Sequence, residues 1–196
     1  MKDLKQMFKP GEEFYYNNGA FVILAYIVEK VSGMSFTQYV KENILDKLNM
    51  NSSGYFRMDM LPENCAFGYE QLEDGNFKTN IYSIPVIGGG DGGIFVTADD
   101  MSRLWDGLFS YKLLNKEITD ELLAIHAHDC DDFYYGYGIW IEKKKDSIFK
   151  YYITGSDPGV KFLSAVYPES NLEITILGNK EFTVQKFIET VEDLKL

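Results

Sequence analysis

Apolar residues change their spacing along the chain, and the changes mark where helices give way to strands. Between Gly19 and Ser32, Phe21, Leu24, Ala25, Val28 and Val31 recur at the three- and four-residue intervals of one helix face. Ile23 and Ile27 are apolar on another side, so the spacing predicts a helix buried on most sides. Gly33 follows as a C-terminal stop. Ser35-Phe36-Thr37-Gln38 has the form of a capping box, in which the serine and the glutamine each answer a free backbone N–H. The helix it opens points Val40, Ile44 and Leu48 inward. From Asn49 to Ile87, Gly54, Pro62, Gly68, Gly75 and Pro85 interrupt every period, which predicts a long loop with short strands. Thr97-Ala98-Asp99-Asp100 caps a helix with Met101, Leu104, Trp105 and Leu108 on its inner face, and a further helix is predicted over 119–126.

From Tyr134 onward the period is two. Strands are predicted over 135–142, 148–153, 162–167 and 172–177, joined by short turns such as Asp157-Pro158-Gly159. Short turns join antiparallel neighbours, so the four form a meander. A last helix, 183–194, carries Val184, Phe187, Ile188 and Val191 as a stripe to lie across the sheet. The expected fold is α+β, an antiparallel sheet flanked by helices. It reads as one domain over 1–196, with 1–130 mainly helix and loop and 131–196 the sheet and final helix.

Charge narrows the function. A formal net charge of −11 over 196 residues lacks the basic footprint that phosphate binding needs, so no nucleic-acid partner is expected. Cys65 and Cys130 lie far apart without C-x-x-C spacing and read as free thiols. The N-terminus has no apolar core of a signal peptide. The longest apolar stretch, Phe21 to Val28, is far short of the about 20 residues that span a bilayer. Neither an export address nor a membrane segment is legible, and location stays unassigned.

Candidate chemistry begins at Pro10-Gly11-Glu12-Glu13-Phe14-Tyr15-Tyr16-Asn17-Asn18-Gly19, which leads into the first helix. In extended backbone, residues two apart point the same way, so a phenol at Tyr16 and an amide at Asn18 enter one cleft. A phenol near cations can shuttle a proton in acyl transfer, and an amide both donates to and accepts from a substrate amide. Gly92-Gly93-Ile94-Phe95-Val96 follows, without the lysine of a phosphate-binding loop, and reads as backbone passing close to packed neighbours. Ile153-Thr154-Gly155-Ser156 ends a strand.

These three segments, in this order, resemble class C β-lactamases, D-alanyl-D-alanine carboxypeptidases and related penicillin-binding proteins and esterases. The resemblance runs from about Pro10 to Asn179. It implies a serine hydrolase working through an acyl-serine on β-lactams, D-Ala-D-Ala peptides or small esters, with no cofactor and no metal. On it, Tyr16 is the catalytic acid/base of the Y-x-N motif and Asn18 a substrate amide partner. Thr154 and Gly155 stand in the K-T-G or H-T-G motif and line the cleft, and the Ser156 N–H supplies half of an oxyanion hole. Such a donor contributes on the order of 3 kcal/mol. Ile153 departs from the motif, because an alkyl group neither binds a carboxylate nor tunes a phenol.

The family's nucleophile, the serine of S-x-x-K, precedes Y-x-N, and no serine stands before Tyr16 in this sequence. Ser147-Ile148-Phe149-Lys150 matches literally but falls in a turn and strand, where residues three apart face opposite sides. The expectation is a fragment or truncated homologue, inactive alone. The alternative is a non-catalytic peptidoglycan- or ligand-binding module on the same scaffold, for which Ile153 speaks. In the family, N-terminal strands pair beside the last strand of the sheet, so 172–177 is expected as an open edge and a homodimer through it is possible. His126-Ala127-His128-Asp129-Cys130-Asp131-Asp132 carries donors that suit zinc or copper. Its adjacent spacing matches no known site, and it reads as a helix end passing into an acidic loop.

Overall fold

The computed structural model describes residues 5–195. Helix α1, Asn18–Ser32, ends as expected: Gly33 takes φ 72° and its N–H reaches the Glu29 carbonyl. Its burial is not as expected. Ala25 alone is buried, whereas Leu24 is 54% and Val31 83% exposed. The helix packs on α2, Phe36–Val40, and against Gly90, and nothing described here covers its remaining faces.

Only half of the capping box forms. Ser35 Oγ accepts from the Gln38 N–H, but the Gln38 side chain donates to Glu42 and the free Phe36 N–H goes to Glu29. Glu29 reaches across from α1 to satisfy that first-turn donor. α2 continues as a π-helical turn, Lys41–Leu45, and seats Val40, Leu45, Leu48 and Met50 in one core cluster. The long loop holds a hairpin, β1 Tyr69–Gln71 and β2 Phe77–Thr79. Helix α3, Ala98–Phe109, is capped by Thr97 Oγ1 and buries Met101 and Trp105. Helix α4 is Lys116–Leu123, earlier than the predicted 119–126, because Asn115 Oδ1 caps it at the Ile118 N–H.

One antiparallel sheet follows in chain order: β3 Ala127–Cys130, β4 Phe133–Tyr135, β5 Trp140–Lys144, β6 Ser147–Asp157, β7 Val160–Tyr167 and β8 Leu172–Gly178. The predicted strand 135–142 is broken into β4 and β5 at Gly136–Ile139. There Gly138 takes φ 80° and Gly136 presses on the Leu122 carbonyl, where a Cβ would come within 2.6 Å. β3 was not foreseen, and the sheet therefore starts before residue 131. β8 is the terminal strand, as expected of an open edge.

The sheet separates two apolar layers. One face carries Ile141, Tyr151 and Ile153 against Trp105 and Leu123. The other carries Leu163, Ala165 and Tyr167 against Val184 and Ile188 of helix α5, Val184–Lys195. Phe187 of the predicted stripe stays 59% exposed, edge-on to Phe182.

Candidate active site

Tyr16 lies just before α1, whose N-cap Asn17 has extended backbone. Asn18 is already the first helical residue, so the extended-chain spacing that would aim it alongside Tyr16 does not carry through. Both are solvent-exposed. The Tyr16 ring stacks on Trp140, with centroids 5.9 Å apart at 29°, and meets Tyr135 edge-on at 6.1 Å. Phe14 packs beside it on Tyr135 and Trp140. Burial, reinforced by the neighbouring Tyr16, pushes the Tyr135 phenol up to about 12.

Trp140 opposes Tyr152 in the β5–β6 register, and the two rings stack at 6.3 Å. Thr154 lies two residues further along β6, on the same face as Tyr152. Three aromatic rings thus bridge the Y-x-N segment to the T-G segment. Among the described residues no hydrogen bond joins the Tyr16 hydroxyl to Thr154 or Ser156; Thr154 Oγ1 donates instead to the Phe162 carbonyl at 2.8 Å. Beyond Tyr152, β6 has outrun β5, so Ile153–Asp157 pair with β7 alone and leave one backbone edge open.

Alternation sends Ile153 to the opposite face. It lines an apolar cavity of about 380 Å³ with Leu104, Trp105, Leu108, Leu122 and Ile139, and none of the five predicted site residues lines that cavity. Alkyl packing against the core explains the isoleucine at this position.

The strand end is held by a tight turn. Gly159 takes φ 74°, with Pro158 before it as a type II turn favours, and a Cβ there would meet the Tyr69 nitrogen at 2.7 Å. Asn80 Nδ2 donates to the Pro158 carbonyl and Glu181 accepts the Gly159 N–H. This turn sets Ser156 opposite Lys161, whose ammonium donates to Ser156 Oγ and is paired with Glu181 at 3.2 Å. Sequence reasoning missed Lys161, although a two-residue Pro-Gly turn fixes that pairing.

The glycine stretch ties the pieces together as close-packed backbone. Added Cβ atoms would meet Phe21 O at 2.6 Å from Gly90 and the Gly93 carbonyl at 2.6 Å from Gly88. Gly92 and Asp91 border Asp157 at the end of β6. Burial, then the Asp91 charge, raises the Asp157 carboxyl. Tyr55 donates to the Gly89 carbonyl at 3.1 Å, and burial, then Asp91, pushes its phenol to about 12.

The literal S-x-x-K is structural. Ser147 Oγ is exposed and donates to the Lys144 carbonyl. Lys150 is buried between Glu142 at 2.9 Å and Glu192 at 2.7 Å. Rather than ending a helix, His126 immediately precedes β3 and His128 lies within it. His126 stacks on Tyr137 at 3.8 Å and bonds to the Glu121 carbonyl, and His128 bonds to the Asp131 carbonyl. Among the described residues no three His, Cys, Asp or Glu side chains gather as a metal site. No single helix there is long and apolar enough to cross a membrane.

Known proteins share this fold. The chain is 48% identical to a penicillin-binding protein from Bacillus halodurans, superposing with a TM-score of 0.93 over 95% of this chain and 58% of that one. Penicillin-binding protein 4* of Bacillus subtilis is 25% identical over 197 residues, 91% of this chain and 42% of its own length. Teichoic acid D-alanine hydrolase of Staphylococcus aureus is 27% identical over 136 residues, 68% of this chain and 34% of its own. The chain therefore spans less than two thirds of the length of these relatives. The Beta-lactamase family model matches residues 1–193, and the chain belongs to that family.

Proposed function

We propose that this chain carries the acid/base and substrate-binding part of a serine acyl-transfer site and is inactive as the polypeptide given. In this reading the Tyr16 phenol passes the proton between the attacking serine and the leaving group. Asn18 holds the substrate amide, Thr154 and Gly155 line the cleft, and the Ser156 N–H polarises the carbonyl under attack. The supporting observation is the Tyr16–Trp140–Tyr152 stack, which ties the phenol to the strand bearing Thr154. Substrates are D-Ala-D-Ala peptides, β-lactams or small esters.

Neither Ser147 nor Ser156 is equipped to attack. Ser147 lacks a free lysine, and the lysine at Ser156 is an ammonium paired with Glu181, which donates and cannot take the serine proton. A fluorescent penicillin and a chromogenic cephalosporin test this reading. Neither labels nor is turned over by the wild-type chain; any burst acylation would overturn the claim of inactivity, and Ser147→Ala and Ser156→Ala would then tell whether either serine is the nucleophile.

Ile153 favours a second reading, a module that binds peptidoglycan peptides without chemistry, because its side chain is committed to the core and leaves no cation at that position. Saturable binding of a D-Ala-D-Ala peptide by the isolated chain distinguishes it. Pairing of two copies through the open β8 edge belongs to either reading.

A further inference from the structure

At the start of β6, the other end of that strand from Thr154, lies a cleft of about 670 Å³ that none of the five candidate site residues lines. Four elements meet there. Phe109 closes α3, Asp120 and Leu123 come from α4, Tyr151 from β6 and Glu169 from the β7–β8 turn. The Phe109 and Tyr151 rings pack at 5.9 Å and make an apolar wall that Leu123 and Ile148 extend. Charge is one-sided. Asp120 and Glu169 line the cleft, and among the described residues no lysine or arginine does. The lysines of the β5–β6 hairpin are engaged elsewhere, Lys143 over the Tyr134 ring and Lys144 over Phe149. Asp120 acts across the cleft: burial, then its charge, raises the Tyr151 phenol.

Tyr111 lines the same cleft in a conformation its residue type resists. It stands at φ 61° just past the C-cap Ser110, where its N–H and that of Lys112 turn back to the Leu108 and Gly107 carbonyls. Glycine is the usual occupant of that position, and a bulky side chain there is strained. Strain of this kind collects at ligand clamps. The ring so placed already faces a cation: the Lys116 ammonium, paired with Asp120, lies 5.8 Å from its centroid.

We propose that this cleft binds an organic cation, an ammonium group carried on an apolar body. The ammonium sits between Asp120, Glu169 and the Tyr111 ring, and the body lies against Phe109, Leu123 and Ile148. Charge selects the occupant. An anion would meet two carboxylates with no lining cation to answer them, and a neutral apolar molecule would leave both carboxylates unused. An ammonium gains from an aromatic face and from a carboxylate at once. The volume falls in the range that encloses small organic ligands. Lys116 displays the chemistry from within the chain, since its ammonium uses Asp120 and Tyr111 on an exposed, flexible stem that a ligand can displace. The net charge of −11 adds a field that draws cations in. No residue of the acyl-transfer site takes part, so the proposal stands or falls apart from that reading.

Three probes of one shape test it: phenylbutylammonium, phenylbutanol and phenylbutyrate, each titrated into the isotope-labelled chain and followed by amide chemical shifts. The ammonium is expected to bind about tenfold more tightly than the alcohol, and the carboxylate more weakly than either. The shifts should centre on residues 109–111, 119–125, 147–151 and 168–169. Glu169→Gln weakens ammonium binding about threefold. Tyr111→Gly weakens it about fivefold, yet melts no lower than wild type, because glycine suits the positive φ. Lys116→Ala frees Asp120 from its own ammonium and tightens binding about two- to fivefold. Equal affinity for the ammonium and the alcohol, preference for the carboxylate, or shifts centred away from the cleft overturns the proposal. Ammonium binding that both Glu169→Gln and Tyr111→Gly leave intact also overturns it, as a general attraction of cations to an acidic chain.

Discussion

Lys150 and Glu192 meet at 2.7 Å beneath the sheet, joining the middle of β6 to the last turns of α5. Glu142 approaches the same ammonium at 2.9 Å, and the Tyr167 hydroxyl donates to Glu192 at 2.6 Å. Burial, then the Glu192 contact, raises the Tyr167 phenol. One cation thus holds two carboxylates where water scarcely reaches.

Lys150→Met therefore leaves two buried carboxylates uncompensated. A loss of about 3–5 kcal/mol is expected in urea denaturation, because an unpaired buried charge costs far more than the pair contributes. Lys150→Met combined with Glu192→Gln recovers part of it. A single variant within about 1 kcal/mol of wild type would show the cluster to be open to solvent.

The aromatic bridge separates packing from chemistry. Trp140 touches Tyr16, Phe14, Tyr135 and Tyr152, so Trp140→Ala costs about 3–5 kcal/mol and frees the Y-x-N segment. Tyr16→Phe keeps the ring and changes stability by no more than about 0.5 kcal/mol. In a polypeptide that joins this chain to a nucleophile-bearing segment of the family, Tyr16→Phe lowers the acylation rate by about 10²–10⁴-fold, the usual span for a lost acid/base. Equal melting losses in the two variants, or full acylation by Tyr16→Phe, would remove Tyr16 from the mechanism.

What the sequence made legible, and what it hid, follows from how far each signal reaches. Gly33, Thr97 and the period-two runs act within a few residues, and the structure keeps the α1 stop, the α3 cap and the strands over 148–153, 162–167 and 172–177. The break at Gly136–Ile139 depends on the Leu122 carbonyl, which is distant in sequence, and no periodicity announces it. The second arm of the capping box is missing because Gln38 turns to Glu42 one turn on, a competing partner that the four-residue motif does not contain. The site was legible as segments but not as contacts. Trp140 and Tyr152 look like ordinary strand residues until the β5–β6 register sets them opposite each other. The exposure of α1 departs most sharply from the expectation: its apolar pattern predicts burial on most sides, whereas Ala25 alone of the helix is buried.

Asp157 gives a pH dependence with a defined sign. Its carboxyl is raised in the folded state by burial against the glycine loop and by Asp91. The folded protein thus binds that proton more tightly than the unfolded chain does. The stabilisation is fully present below the ordinary aspartate value of about 3.9 and is lost as pH rises through the raised value. At neutral pH the ionised group is a net cost, discounted by its exposure. Asp157→Asn is expected to raise stability at pH 7 by less than about 1 kcal/mol, with the gain vanishing below about pH 4. A variant less stable than wild type at pH 7 would contradict the placement of Asp91 beside it.

The open edge makes the last prediction. β8 ends the sheet, α3 reaches it only through contacts such as Ser102 with Glu173, and Leu177 is 44% exposed. An uncovered strand presents a row of unpaired backbone groups to any other chain, and a charged residue is the usual deterrent. Light scattering is expected to show a concentration-dependent dimer that Leu177→Lys returns to monomer without loss of melting temperature. That dimer leaves exchange in α1 fast, which distinguishes it from association through the helix. A wild-type chain that stays monomeric at the highest soluble concentration would mean that something other than pairing protects this edge.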